Sequence, residues 1–311
     1  MALLLKSAWQ GYRYVFEELA DPRTSSWFLV AKPYQGLALL GLYLIFVLKW
    51  GPEWMKNRHA FNLDKVLIVY NAIQIFLCAR LFAGSLLNAW AFHYRWVCEP
   101  VDFSNSDHAI QIATYVYTYY LIKILDLLDT VFFVLRKKFN QITFLHVYHH
   151  FGMVLLCWGA ATYFPGGHGT LIGVINSFVH VVMYGYYLLT VAMPSLKNSM
   201  WWKKYITQLQ IIQFFWMVVH MGALVFKTDC AYPRWTAAIF LPQNLFMLIL
   251  FVDFYIKTYV KPKSKKENGA QNGFQNGAQN GVKNEAHNVV HNGQKNGLND
   301  LNEGNGNAKI D

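Results

Sequence analysis

The stretch Phe144-Leu145-His146-Val147-Tyr148-His149-His150 decides how this chain is read. Three of its eleven histidines fall there within five residues. On a helix advancing about 100° per residue, positions i, i+3 and i+4 share a face, so His146, His149 and His150 converge on one small volume. The run that follows, Phe151 to Phe164, carries no charged side chain. The histidines therefore sit inside a membrane helix, where ionisable groups are costly and mark chemistry or ion pathways. A lone buried histidine would read as a satisfied core residue; three on one face read otherwise.

Working outward, the composition agrees. The chain of 311 residues is 55% hydrophobic and 17% aromatic, with only 14% charged, too apolar for an ordinary soluble domain. A net charge of +10 would suit nucleic acid, but the basic residues cluster at the ends of apolar runs, the membrane-surface pattern, and no nucleic-acid partner is expected. Met1–Leu5 is a short apolar run followed by a polar Gln10–Arg23 bearing Glu17, Glu18 and Asp21, unlike a cleavable signal peptide.

Seven candidate spans follow, each near the roughly 20 residues a bilayer needs: Tyr34–Trp50, Lys65–Trp90, Gln111–Leu135, Ile142–Phe164, His168–Ala192, Tyr205–Phe226 and Trp235–Tyr259. Residues 1–32 read as an interfacial lead-in with Trp9, Tyr12, Tyr14, Phe16 and Trp27 at headgroup level, 33–261 as the membrane domain, and 262–311 as a disordered cytosolic tail rich in Asn and Gly. His287 and His291 belong to that tail's spacer composition. One set of loops carries Lys49, Lys56, Arg58 and Lys65, then Arg136–Lys138, then Lys197, Lys203 and Lys204, then Lys261–Lys266. The other carries only Arg95, Lys227 and Arg234. The basic set is expected in the cytosol, which places the N-terminus in the lumen or outside and the C-terminus in the cytosol. Cys98 and Cys230 fall in the two largest non-cytosolic loops, where a disulfide between them is expected; Cys78 and Cys157 lie within spans as free thiols.

Four spans carry polar groups, mostly near their cytosolic ends. Lys123, Asp126 and Asp129 are successive i, i+3 neighbours, readable as an ion pair that fixes helix packing or as part of a site. Asn176, His180, Tyr184 and Tyr187 share a helical face, with His180 near mid-membrane. Lys203, Thr207, Gln210 and Gln213 form a third stripe, while His220, toward the other end of that span, reads as structural. Amides alone would read as interhelical hydrogen bonds; several stripes together describe a polar, histidine-lined chamber opening through a basic mouth. Beyond it, His149 to Tyr163 rises roughly 21 Å, enough for a long acyl chain.

At this point the chain resembles the very-long-chain fatty acid elongases, the ELO family of condensing enzymes of the endoplasmic reticulum. The matching motifs are Lys123-x-x-Asp126-x-x-Asp129-Thr130, Gln141-x-x-Phe144-Leu145-His146-x-Tyr148-His149-His150, Asn176-x-x-x-His180-x-x-Met183-Tyr184-x-Tyr186-Tyr187, and Thr207-x-x-Gln210-x-x-Gln213. The match covers about residues 20–262. Asp126 stands where many members have glutamate, and the chain ends Lys309-Ile310-Asp311 without a dilysine signal. The resemblance implies an all-α integral membrane protein with seven transmembrane helices, six forming a barrel around the seventh. It implies a 3-oxoacyl-CoA synthase that joins malonyl-CoA to a long-chain acyl-CoA with loss of CO2. No cofactor or metal is expected besides these two substrates. The expected partners are membrane lipid and the reductases and dehydratase of the elongation cycle, with a homodimer left open.

On this reading His149, His150, His146, His180 and Asn176 are the candidate catalytic residues. Spacing does not rank His149 against His150; preferring His149 as nucleophile follows the resemblance. Lys123, Arg136, Lys138, Gln141, His146, Tyr186, Lys203, Thr207 and Gln210 are the candidates for holding the CoA portion and the thioester, with cations for phosphates and amides or hydroxyls for the pantetheine. Two other classes compete. A di-iron membrane oxygenase also uses His-x-x-His-His, but needs about eight histidines for two metals, more than are well placed here; iron content discriminates. A seven-helix receptor or transporter would suit the span count, but its chamber would not face the cytosol; CO2 release from malonyl-CoA discriminates.

Overall fold

A computed structural model describes residues 1–261. The segment 262–311, read above as a disordered tail, lies outside the described residues. Among these the chain is helical throughout, with no strand. Ten α-helices run in order: α1 (Ala2–Arg13), α2 (Pro33–Ile45), α3 (Gly51–Met55), α4 (Asp64–Ser85), α5 (Asp107–Leu125), α6 (Leu127–Leu135), α7 (Phe144–Tyr163), α8 (Thr170–Ala192), α9 (Met200–Phe226) and α10 (Ala237–Tyr255). Five-residue π-type turns extend α1, α2, α4 and α10, joining α2 to α3. Five of the resulting rods are long and apolar enough to cross a membrane: Pro33–Met55, Asp64–Trp90, Thr170–Ala192, Met200–Phe226 and Arg234–Val260. The other two expected spans are helical but are not among these five. One is broken at Asp126 and carries Lys123, Asp126 and Asp129; the other carries the three histidines.

Polar and apolar groups are arranged inside out relative to a soluble protein. Phe76, Leu42 and Ile212 are more than half exposed, while Asn71, Gln74, Lys123, Asp126, Asn176, His180 and Gln213 are buried. That is the distribution of a bundle solvated by hydrocarbon, in which polar groups must find partners within the protein. Helix α4 packs on α8, α9 on α10, and α5 on α7, so α5, α7 and α8 bring the motifs of three separate segments to one interior.

Local chemistry sets the element ends. Ser106 caps α5, its hydroxyl accepting from the Ala109 N–H at 3.2 Å, with Asp107 in the first turn; Pro33 opens α2. Helix α6 closes with Lys137 in the left-handed region (φ 55°), the Lys137 N–H on the Val134 carbonyl and the Lys138 N–H on the Phe133 carbonyl. Those two bonds form a Schellman closure, in which glycine usually occupies the left-handed position. Between α5 and α6 the ladder shifts register: the Asp129 N–H bonds the Asp126 carbonyl, and the Leu125 carbonyl accepts from the Tyr70 hydroxyl at 3.3 Å. A side chain thus enters the helix ladder at this break.

The N-terminal segment is tied to the bundle through Asp21, Arg23 and Thr24. Helix α1 does expose Leu3, Leu4, Leu5 and Trp9. Asp21, however, is buried. Its carboxylate pairs with Arg23 at 2.6 Å, and Arg23 donates to the carbonyls of Asp102 and Ser104. The Asp21 N–H and Thr24 hydroxyl satisfy the Thr162 and Ala161 carbonyls at the end of α7, both at 2.7 Å. The charge is buried because it is paired, and its position serves as a cap for α7. At the same end of the bundle His168 and His220 stack with centroids 3.8 Å apart, each ring nitrogen against the other's backbone carbonyl. Cys98 and Cys230 are joined as a disulfide with Cα atoms 5.8 Å apart, and Cys78 and Cys157 are free and buried.

Candidate active site

Helix α7 starts at Thr143, whose hydroxyl accepts from the His146 N–H at 3.3 Å. This cap fixes the helical phase and puts the three imidazoles in its first two turns. The rings of His146 and His150 lie 4.2 Å apart; those of His149 and His150 lie 5.6 Å apart, nearly perpendicular. His146 is held through Nε2 by the Thr130 hydroxyl at 2.9 Å, itself 2.8 Å from the Tyr43 hydroxyl. His149 and His150 have no side-chain hydrogen bond among the described residues, and His149 faces Phe214 of α9 with centroids 6.4 Å apart.

Helices α4, α5 and α8 supply a second polar group. Lys123 donates to Asp126 Oδ2 at 2.8 Å, and its ammonium lies 3.4 Å from His180 Nδ1, which is 3.6 Å from Asp126 Oδ2. The other oxygen of Asp126 accepts from the Gln74 amide at 2.7 Å and the Tyr184 hydroxyl at 3.0 Å. The Tyr184 hydroxyl is also 2.7 Å from Asp129. The Lys123 ammonium can donate to Nδ1 only in the tautomer that carries the His180 proton on Nε2. Asn176 uses both ends of its amide, accepting from Tyr119 at 2.9 Å and donating to Gln213 at 3.3 Å.

Next to these polar groups lies a cavity of about 310 Å³, at the lower end of the roughly 300–1,000 Å³ of small-molecule sites. Met153, Cys157, Ala160 and Phe164 line it along α7, with Leu81, Ile112, Tyr119, Phe214, Phe240 and Met247 from the surrounding helices. Tyr119 and Phe214 connect the two regions, because Tyr119 also holds Asn176 and Phe214 faces His149. An apolar chain seated there would end beside the histidines.

The residues expected to hold CoA fall into three groups. Arg136, Lys138 and Gln141 sit at the α6–α7 connection, with Lys138 and Gln141 exposed and Arg136 3.6 Å from Asp64. Lys203, Thr207 and Gln210 lie on successive turns of α9; the Thr207 hydroxyl donates to the Lys203 carbonyl and Gln210 reaches the Met183 sulfur. Tyr186 is part-buried on α8. Lys123 stands apart: both it and Asp126 have side chains only 2% exposed, so it lies inside the bundle as a paired cation.

Sequence reasoning overlooked Tyr70, Gln74, Tyr119 and Tyr43. The signal for Gln74 was there: an amide four residues after a tyrosine inside a membrane span needs a partner. Among the described residues no group of three or more His, Cys, Asp or Glu side chains is arranged to share a metal ion.

The sequence profile of the ELO: GNS1/SUR4 family matches residues 28–267. The chain is 40% identical over 247 residues to very long chain fatty acid elongase 7 of Drosophila melanogaster, covering 79% of this chain and 75% of that protein. It is 40% identical to very long chain fatty acid elongase 4 of Homo sapiens, covering 79% and 77%. Elongase 1 of Mus musculus is 39% identical over 238 residues, covering 76% and 85%.

Proposed function

The chain belongs to the ELO family, and from that membership we propose that it is a very-long-chain 3-oxoacyl-CoA synthase. It condenses a long-chain acyl-CoA with malonyl-CoA to give a 3-oxoacyl-CoA two carbons longer, CO2 and CoA. The observation that carries this reading is the α7 histidine cluster, one turn before Met153, from which point the same helix lines an apolar cavity. The thioester sits at His149 with its acyl chain in the cavity and its CoA among Arg136, Lys138, Gln141, Lys203, Thr207, Gln210 and Tyr186. No cofactor beyond the two thioesters is called for. The rods α2–α3, α4, α5–α6, α7, α8, α9 and α10 are then the seven crossings, six around the seventh. The protein lies in the endoplasmic reticulum membrane with its N-terminus lumenal, its C-terminus cytosolic and the mouth on the cytosolic side. Its product passes to the reductases and dehydratase of the elongation cycle.

Histidine is a competent nucleophile for acyl transfer. His149 attacks the thioester carbon, the C–S bond breaks, and the ring proton leaves with the CoA thiolate as CoASH. Malonyl-CoA then loses CO2, and its enolate attacks the acyl-imidazole, forming the new C–C bond and releasing His149. In this scheme His180 through its Nε2–H and His150 through its ring steady the oxyanion and the enolate. Asn176, whose amide is occupied, orients Tyr119 at the cavity wall.

Acyl-CoA alone should release about one CoA per enzyme, and rapid-quench mass spectrometry should find the acyl group on the peptide containing His149. A missing burst, or one undiminished in His149→Ala, would favour direct condensation in a ternary complex.

A further inference from the structure

The two half-reactions proposed above differ in their proton balance. Acylation needs no outside proton, because the histidine's own N–H leaves as CoASH. Condensation consumes one: decarboxylation yields an enolate and CO2, the enolate expels imidazolate from the acyl-histidine, and that imidazolate must be protonated to restore His149. The interior supplies a candidate donor path. The Tyr184 hydroxyl has a single proton yet lies within hydrogen-bond distance of two carboxylates, 3.0 Å from Asp126 and 2.7 Å from Asp129. Both contacts are filled only if one of the two carboxyls carries a proton and donates it to Tyr184, while Tyr184 donates to the other. The cations favour Asp129 as the protonated one. Lys123 is committed to Asp126, and among the described residues no salt bridge reaches Asp129. The groups facing Asp129 are Tyr70 of α4, Tyr184 and Tyr187 of α8, Tyr43 of α2, and Asp126 and Lys123 of its own segment. Lys123 aside, these are neutral or anionic. Asp129 is part-exposed and Asp126 is buried, so the chain runs from the rim inward.

We propose that Asp129 and Tyr184 form a proton relay, through Asp126, Lys123 and His180, that reprotonates His149 during condensation. This rests on the acyl-histidine reading. His180 is the two-ended link: its Nε2–H gives a proton to the imidazolate, and its Nδ1 takes one from Lys123, 3.4 Å away. Lys123 recovers a proton along Asp126 and Tyr184 from Asp129, which is recharged from water. Asp129 and Tyr184 act through other groups and are positioning residues of the second half-reaction alone.

The test separates the half-reactions in purified protein, using the best long-chain acyl-CoA of a chain-length panel. CoA release without malonyl-CoA reports acylation; 3-oxoacyl-CoA formed when malonyl-CoA is added to pre-acylated enzyme reports condensation. Asp129→Asn and Tyr184→Phe should keep the CoA burst within about twofold, which also shows that they fold, and slow condensation on the order of 10²-fold. In the wild type condensation should slow as pH rises and the donor empties. Asp129→Asn should lose that dependence, and Asp129→Glu should restore both rate and pH profile. If acylation and condensation fall together in both variants, or condensation is unchanged, the relay is overturned while the acyl-histidine stands. A wild type that gives no burst overturns the acyl-histidine reading and the relay with it.

Discussion

The Lys123 ammonium lies 2.8 Å from Asp126 Oδ2, and both side chains are 2% exposed. A pair this deep contributes little net stability over an apolar replacement, but removing one member strands the other charge. Lys123→Ala should therefore cost about 3–5 kcal/mol. The double variant Lys123→Met/Asp126→Leu should be more stable than the single one despite carrying more changes. Thermal unfolding in detergent measures both; a double variant less stable than Lys123→Ala would mean that the Gln74 and Tyr184 bonds to Asp126 dominate.

The proposed CoA mouth is tested by its cations. Arg136→Ala and Lys203→Ala should each raise KM for acyl-CoA and malonyl-CoA together, by about tenfold or ~1.4 kcal/mol, since both thioesters share one phosphate-bearing carrier. Steady-state kinetics with each substrate varied in turn is the check, and unchanged constants in both variants would move the mouth elsewhere.

Lys137 occupies the left-handed position of a Schellman closure (φ 55°). Glycine adopts that conformation without a Cβ penalty, so Lys137→Gly should raise stability by about 1 kcal/mol. A lower melting temperature would show that the Lys137 bond to the Lys56 carbonyl, 3.2 Å long, matters more than the backbone strain.

Gly167 combines a φ of +67° with crowding: a Cβ there would lie 2.8 Å from the Glu99 carbonyl oxygen and 2.9 Å from Pro100. Neither neighbour is a side chain that can swing aside. Gly167→Ala should cost on the order of 1–3 kcal/mol, whereas Gly159→Ala, which meets nothing within 4 Å, should be tolerated.

The disulfide is checked chemically. After proteolysis between the two cysteines, the fragments should stay together without reductant and separate with it. Cys98→Ser/Cys230→Ser should lose about 2–4 kcal/mol of stability.

The helices of this bundle were largely legible because the bilayer dictates their length: the segment expected at Lys65–Trp90 runs from Asp64 to Trp90, and that expected at Ile142–Phe164 from Phe144 to Tyr163. The histidine face was legible too, since 3.6-residue periodicity fixes what shares one helix. What lay between helices was not. The i, i+3 spacing of Lys123 and Asp126 allowed an ion pair within one helix, but nothing local says that His180, Gln74 and Tyr184 arrive from other helices to complete it. The break at Asp126 depends on a Tyr70 hydroxyl arriving from another helix. The burial of Asp21 was not legible because the end of α7, whose Thr162 carbonyl its N–H satisfies, meets it only in three dimensions.

The Cys98–Cys230 bond spans 132 positions, and α5 to α9 lie wholly within that interval. As the chain is synthesised, Cys98 therefore waits as a free thiol until α9 has been made, by which time Lys123, Asp126, all three α7 histidines and His180 already exist. The staple can close only after α5 to α9 have been made, and it ties together the two ends of the segment that carries the histidines. A chain whose inner helices failed to pack would present an unpaired Cys98, a chemical mark by which an unfinished molecule is told from a finished one.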